Sequence, residues 1–222
     1  MKKEYAQKII NELQEDYNLV ASSFASTRDR LWPEVKFLFD YAKKGDRVLD
    51  VGCGNGRFCK YLEKGKYTGV DFSEKMIEEA KKRFPKKDFR VANALSLPFQ
   101  GETFDKVYAI AVIHQIPSEE YRKQFLAEME RVLKPGGQLF LTAWNLEKKG
   151  KLFLLKNAFS NIFSPLGSRD FLLKRKRYYY IFKKGELSSL CRKAGFVVEK
   201  EGEANKKGRS NYYVVALKKQ ID

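Results

Sequence analysis

Apolar and polar positions along the 222-residue chain follow two rhythms. Short apolar runs bounded by charged or turn residues read as strands, and stretches with apolar residues three and four apart read as helices. Residues 3–43 read as two helices around a hinge near Ser22-Ser23. Trp32-Pro33 places a proline at the start of the second, where its missing N–H costs little. Strands are predicted at 47–51, 67–70, 88–92, 104–110 and 138–144. Helices fall between them. One opens at 56–62; a second runs over 74–84, capped by Ser73 with Glu74 in its first turn. A third spans 119–133 with its apolar stripe at Phe125, Met129, Val132 and Leu133, and Pro135-Gly136-Gly137 stops it. A last helix at 184–194 ends at Gly195, and segments 196–200 and 212–217 form a closing strand pair.

Strand–helix alternation implies an α/β fold, with a mostly parallel sheet covered by helices on both faces. No internal repeat, low-complexity tract or linker divides the chain, so residues 1–222 read as one domain. Within it, residues 1–43 form an N-terminal helical lid. Residues 148–184 form an insertion between the fifth strand and the final helix, beyond the carboxyl edge where such sheets bind ligands.

Composition sharpens this picture at two points. Apolar residues make up 43% and aromatics 14%, enough for a core, and no apolar run approaches the roughly 20 residues needed to span a bilayer. The N-terminus lacks an apolar signal core. Three cysteines, Cys53, Cys59 and Cys191, show no metal-ligand pairing, and there is a single histidine. A reducing, cytoplasmic setting without a bound metal or a membrane is therefore expected. Net charge is +16, and the excess is uneven. Residues 148–184 hold eleven basic side chains and one acid, Asp170, which accounts for ten of the sixteen excess charges. Such clustering suits a polyphosphate partner. Interleaved Phe153, Phe159, Phe163, Phe171, Tyr178, Tyr179 and Tyr180 favour RNA, whose bases stack on rings beside basic groups. A solvated lysine-rich surface is the bland alternative.

The candidate chemistry lies at the end of the first strand. Residues 50–56 read Asp-Val-Gly-Cys-Gly-Asn-Gly, and Asp71 follows at the tip of the second strand. Glycines at 52, 54 and 56 let the backbone turn sharply and lie against a flat ligand. An acidic residue at the next strand tip suits the two hydroxyls of a ribose, as in nucleoside-containing cofactors.

In order along the chain, these motifs, the run Ala94-Leu95-Ser96-Leu97-Pro98-Phe99 and Leu133-Lys134-Pro135-Gly136-Gly137 resemble class I S-adenosylmethionine-dependent methyltransferases. Four further stretches resemble one subfamily, the tRNA wobble-uridine methyltransferases that esterify 5-carboxymethyluridine. They are Tyr17-Asn18 through Phe24, Ser26-Thr27-Arg28 and Trp32-Pro33; residues 50–56; residues 94–99 with Ile110-Ala111-Val112-Ile113-His114; and Arg177-Tyr178-Tyr179 with Phe182 and Gly185-Glu186-Leu187. Asn211-Tyr212-Tyr213-Val214 resembles its closing strand. The chain departs from the subfamily at Gln115, where a second histidine is common, and at Asn93, where Asp is usual.

The resemblance implies a Rossmann-like seven-stranded sheet with an antiparallel closing strand, S-adenosylmethionine as cofactor, tRNA as partner and a small zinc-binding activator subunit. It also implies roles. Asp50 orients the glycine loop and accepts a bond from the cofactor's amino group; Gly52 and Gly54 let its amino-acid tail lie close. Asp71 holds the ribose, Phe72 covers adenine, Asn93 and Ala94 face the base, and Ala111 lies beneath the methionine portion. Tyr17 closes over the tail, and Arg28 pairs with a cofactor or substrate carboxylate. His114 donates a hydrogen bond to the acceptor or its uracil ring. Trp32, Trp144, Lys174, Arg175, Lys176, Arg177 and Tyr178 are candidate tRNA contacts. Two other readings stay open: a small-molecule methyltransferase of the quinone or polyketide type, and a noncatalytic RNA-binding or activating protein on the same scaffold.

Overall fold

A computed structural model describes residues 1–27, 32–162, 164–173, 177–206 and 208–220. Among them are five α-helices and nine strands. The long helix α1 (Lys3–Thr27) leads through a turn and a 3-10 segment (Lys36–Tyr41) into β1 (Arg47–Val51). Then come β2 (Lys66–Asp71), α2 (Glu74–Arg83), β3 (Asp88–Val91), β4 (Phe104–Ile110), α3 (Glu119–Val132) and β5 (Leu133–Trp144). The insertion folds as α4 (Lys151–Ser160) and a hairpin of β6 (Asp170–Leu173) with β7 (Arg177–Tyr180). Helix α5 (Glu186–Lys193), β8 (Val197–Lys206) and β9 (Arg209–Leu217) close the chain.

Seven strands form one sheet in the order β3-β2-β1-β4-β5-β9-β8. The first five run parallel, and β9 is antiparallel to both β5 and β8. Strand order reverses between β1 and β4, which opens a crevice at the carboxyl ends of those strands. The parallel strands are apolar on both faces because helices cover both. Leu49, Val51, Val107, Ala109, Leu139 and Leu141 pack toward one buried cluster; Val48, Tyr108, Ile110 and Phe140 pack toward the other.

Three predicted elements differ. The hinge at Ser22-Ser23 is absent: α1 runs unbroken to Thr27, with Ser23 Oγ donating back to the Val20 carbonyl and Ser26 and Thr27 donating to that of Ser23. Val20 and Ala21 are also buried against Met76 of α2, which holds that turn in place. The second N-terminal helix shrinks to a turn at Pro33 and the 3-10 segment. The helix expected at 56–62 is a 3-10 turn at Cys59–Tyr61; Gly56 sits at φ +72°, a left-handed conformation that cannot begin a right-handed helix. No helix among the described residues is long and apolar enough to cross a membrane.

Candidate active site

Five strand ends and two covering segments build the cleft. Its floor is the turn after β1, where the Gly52 and Cys53 N–H groups both donate to the Val70 carbonyl, at 2.8 and 2.9 Å. Gly52 has φ +71°, and an added Cβ would lie 2.4 Å from Val112 Cγ2, so this position admits glycine alone. Gly54 has φ +53°, and a Cβ there would meet only Phe24 Cε1, at 3.9 Å. The missing side chains leave a concave backbone surface that a flat or extended ligand can approach, and such a cradle fits the implied cofactor.

Asp71 stands at the end of β2 with one carboxylate oxygen accepting from Gly54 N–H and the other from Ser73 N–H, both at 2.9 Å. Burial pushes its pKa up to about 6, although those N–H groups favour the anion. Each oxygen retains a lone pair for a ligand hydroxyl. Asp50 is placed differently from its expected role. It is buried beneath the turn, does not line the cleft, and accepts from Tyr67 Oη at 2.9 Å. Burial raises its pKa to about 7. Phe72, Asn93, Ala94 and Ala111 line the cleft together, as expected of one ligand site. Asn93 Oδ1 already accepts from Leu95 N–H at 2.9 Å, which fixes its orientation. Ala111 has φ +60°, an unfavourable conformation for a residue with Cβ, and Thr142 Oγ1 secures its N–H at 2.9 Å.

Helix α1 roofs the cleft through Ile10, Leu13, Tyr17 and Phe24. Tyr17 meets Phe72 edge-on at 5.9 Å and shares hydrogen bonds with the Gln115 amide, at 3.0 and 2.8 Å. Gln115 thus ties the roof to the end of β4. Gln14 and Asn18 fasten the same helix to Phe72 and Ser73. Arg177 of β7 pairs with buried Asp16 of α1, and its guanidinium lies 5.0 Å from the Tyr17 ring centre. The basic hairpin therefore reaches the cleft wall.

Two expected contacts need correction. His114 is fully buried behind the wall, not on it. Its ring lies 5.1 Å from Trp144 and 5.6 Å from Tyr179, nearly parallel to both, and those two rings face the cleft. Burial pushes its pKa down to about 3, so it is neutral, and neither nitrogen has a hydrogen-bond partner among the described residues. Tyr178 is not a surface contact. It is fully buried, and its hydroxyl donates to Asp170 at 2.6 Å, because alternate residues of β7 point into the core. Trp32 packs edge-on against Phe58 and lies under the Arg57 guanidinium, 4.2 Å from the ring centre. It packs against that arginine and also lines the cleft. Arg28, Lys174, Arg175 and Lys176 lie outside the described residues.

Sequence reasoning passed over Arg57 and left Tyr179 among generic aromatics, yet both line the cleft. Arg57 had a local signal, since it closes the glycine run directly after Gly56. Tyr179 had only the alternation along β7, which sends Tyr178 and Tyr180 into one buried cluster and Tyr179 into another.

A family model described as a methyltransferase domain matches residues 49–141, from β1 into β5. A provisionally named methyltransferase of Encephalitozoon cuniculi is 32% identical over 84% of this chain and 87% of its own. The tRNA (carboxymethyluridine(34)-5-O)-methyltransferase of Schizosaccharomyces pombe is 28% identical over 98% of this chain and all of its own. The first curated relatives, named probable tRNA methyltransferase 9B in mouse and human, are 34% identical over 62% of this chain; the match spans only 30% of their length. Among solved structures, the methyltransferase in the Haloferax volcanii complex with the Trm112 activator superposes with a TM-score of 0.69 at 17% identity, covering 92% of this chain and 98% of that one.

Proposed function

The chain belongs to the S-adenosylmethionine-dependent methyltransferase family, and on that premise we propose that it methylates the carboxylate of 5-carboxymethyluridine at the tRNA wobble position. The observation that carries this reading is the cleft wall formed by Arg177 and Tyr179, which joins a nucleoside-type site to the most basic part of the chain. A small neutral substrate gives no reason for that junction. The names of the relatives support the same acceptor. A small activator subunit belongs to the same proposal, by analogy with the Haloferax complex.

When bound, the cofactor supplies a methyl group on an electron-poor sulfonium. Gly52 and Gly54 would admit its tail, and Asp71 would accept from its ribose hydroxyls. Tyr17, Leu13 and Phe24 exclude water above it, which strengthens the charge interactions in the cleft. A carboxylate acceptor is ionised at neutral pH, so the chain has no need of a general base. Neutral His114 braces Trp144 and Tyr179 from behind; the ring centres of those two lie only 5.2 Å apart, which leaves no room for a base between them, so the nucleoside would meet the parts of the rings that line the cleft.

Asp71 makes cofactor affinity pH-dependent. Binding selects its anion, so affinity should be steady above about pH 7 and fall about fivefold between pH 6 and pH 5. Asp71→Asn should bind S-adenosylhomocysteine more weakly and without that slope. Calorimetry across this range checks it; a slope retained in the variant would assign the titration elsewhere.

Methyl transfer to tRNA carrying carboxymethyluridine, followed by nucleoside mass spectrometry, tests the activity directly. An ester on the wobble uridine is the expected product. Replacing Lys174, Arg175 and Lys176 with serine should weaken tRNA binding and flatten its salt dependence, since fewer counterions are released. Cofactor affinity should be unchanged. Failure of the parent protein to modify that tRNA while it binds the cofactor would favour a small-molecule acceptor.

A further inference from the structure

The insertion carries an apolar surface that the cleft does not use. Ten large apolar side chains are exposed among the described residues, and five of them, Leu152, Leu155, Phe159, Ile162 and Leu172, fall in this one segment. Single exposed apolar residues are ordinary, whereas a contiguous group marks a contact surface. Four of the five belong to α4 and the turn that continues it, at 66%, 67%, 77% and 60% exposure. The Ile162 N–H donates to the Phe159 carbonyl, which carries the helical course past Asn161. The opposite side of α4 is already packed. Phe153 meets Phe171 edge-on at 5.0 Å, and Leu154 packs against the cluster of Leu146, Tyr179 and Ile181. The Asn157 and Asn161 amides donate to the Asp170 carbonyl at 2.9 and 2.7 Å. A helix that is apolar all round is a buried one, and here only one side is covered.

The four exposed residues follow one another at intervals of three, four and three. That is the a and d rhythm of a heptad seam, running about 15 Å along the helix. It is narrower than the broad apolar face with which a helix lies in a lipid surface. Leu152, Leu155 and Ile162 also offer a base no ring to stack on. The positions flanking the seam, g and e, are Lys151 and Lys156. Two copies of this helix would set lysine against lysine in either orientation, so a second copy is the wrong occupant. We propose that α4 is a docking surface for an amphipathic helix of another protein, with Leu or Ile at its a and d positions and Glu or Asp at e and g. Through Phe171, whose ring lies 6.4 Å from that of Tyr179, the docked helix would back the cleft wall from outside.

The probes are two designed three-heptad peptides with leucine at a and d, one with glutamate at e and g and the other with lysine there. Fluorescence anisotropy is read at about 0.15 M salt, where a Debye length of about 8 Å damps the general field of a +16 chain. The parent should bind the glutamate peptide about tenfold tighter than the lysine peptide. Leu155→Ser with Phe159→Ser should weaken the glutamate peptide about tenfold or more, because two anchors are lost. Both side chains are exposed, so the fold and the affinity for S-adenosylhomocysteine should be unchanged. Lys156→Glu should narrow the preference between the peptides about threefold, whereas Lys81→Glu, the same charge change on the exposed side of α2, should not. No binding of the glutamate peptide by the parent, binding indifferent to Leu155 and Phe159, or equal effects of the two lysine exchanges would overturn the proposal. So would dimerisation of the parent that the serine variant loses, which makes a second copy the occupant. Seam-dependent binding to phosphatidylserine vesicles without binding of the glutamate peptide would overturn it in favour of a lipid surface.

Discussion

Replacing Gly52 with alanine is expected to cost about 2–5 kcal/mol of stability and to slow single-turnover methyl transfer about a hundredfold. Two separate physical terms lead there. A Cβ at φ +71° carries the left-handed penalty of about 1–2 kcal/mol. Placed 2.4 Å from Val112 Cγ2, it also overpacks a buried contact, which costs about 1–3 kcal/mol. The rate falls because relief of that contact moves the turn or Val112, both of which line the cleft, and an error near 1 Å in a positioning element costs about a hundredfold. The terms separate experimentally. Adding Val112→Ala removes the methyl that is struck, so the double variant should recover the steric part and retain the backbone part. Gly54→Ala isolates the backbone term from the other side, because its Cβ would meet only Phe24 at 3.9 Å. It should lose only about 1–2 kcal/mol. Urea unfolding of the three variants supplies the numbers. Equal losses at 52 and 54, or no recovery on shortening Val112, would mean that the cradle is not shaped by this contact.

Where the sequence was legible, one local feature decided the structure. Strands β1 and β4 begin and end where predicted because their apolar runs are buried on both faces. Ser73 caps α2 as read, accepting from Met76 N–H, since a serine before a helical stretch has few other uses. Asp71 reached the strand tip because β2 is paired in register with β1 along its length. Misreadings arise where a distant contact overrides local preference. Ser22-Ser23 suggested a hinge, but packing of Val20 and Ala21 on α2 keeps α1 continuous. Glycine was correctly taken as a turn former at 52 and 54, yet the same property at Gly56 forbids the helix drawn from that residue. Tyr178 looked like a base-stacking ring until strand alternation turned it inward and Tyr179 outward to the cleft. Arg57 and His114 show the limit most clearly. Which side of a wall a side chain occupies depends on Trp32, Trp144 and Tyr179, residues far away in sequence.

His114→Phe is expected to make the protein more stable and less active at the same time. Both imidazole nitrogens are buried without a partner among the described residues, and each unmet polar group costs about 1–3 kcal/mol. Phenylalanine keeps the near-parallel contacts with Trp144 and Tyr179 and removes the polar atoms, so a net gain of about 1–2 kcal/mol is expected after slight overpacking. The change also alters acid stability with a definite sign. The folded imidazole has its pKa pushed down by burial to about 3, against about 6.5 when unfolded. The neutral form therefore stabilises the fold fully above about pH 6.5, and that contribution is lost as pH falls toward 3. The phenylalanine variant should lack this part of the acid sensitivity. A buried polar group without a protein partner is normally satisfied from elsewhere, by an ordered water or by a ligand. If the acceptor is that ligand, methyl transfer should drop about tenfold to a thousandfold in His114→Phe, and His114→Asn, which can still donate, should recover part of the loss. Activity of the parent enzyme should hold between about pH 7 and 9, where the imidazole is neutral throughout. Thermal unfolding and single-turnover rates measured on the same preparations decide between the two roles: a less stable but fully active His114→Phe would make the histidine a packing residue behind Trp144 and Tyr179, with the acceptor oriented by other groups.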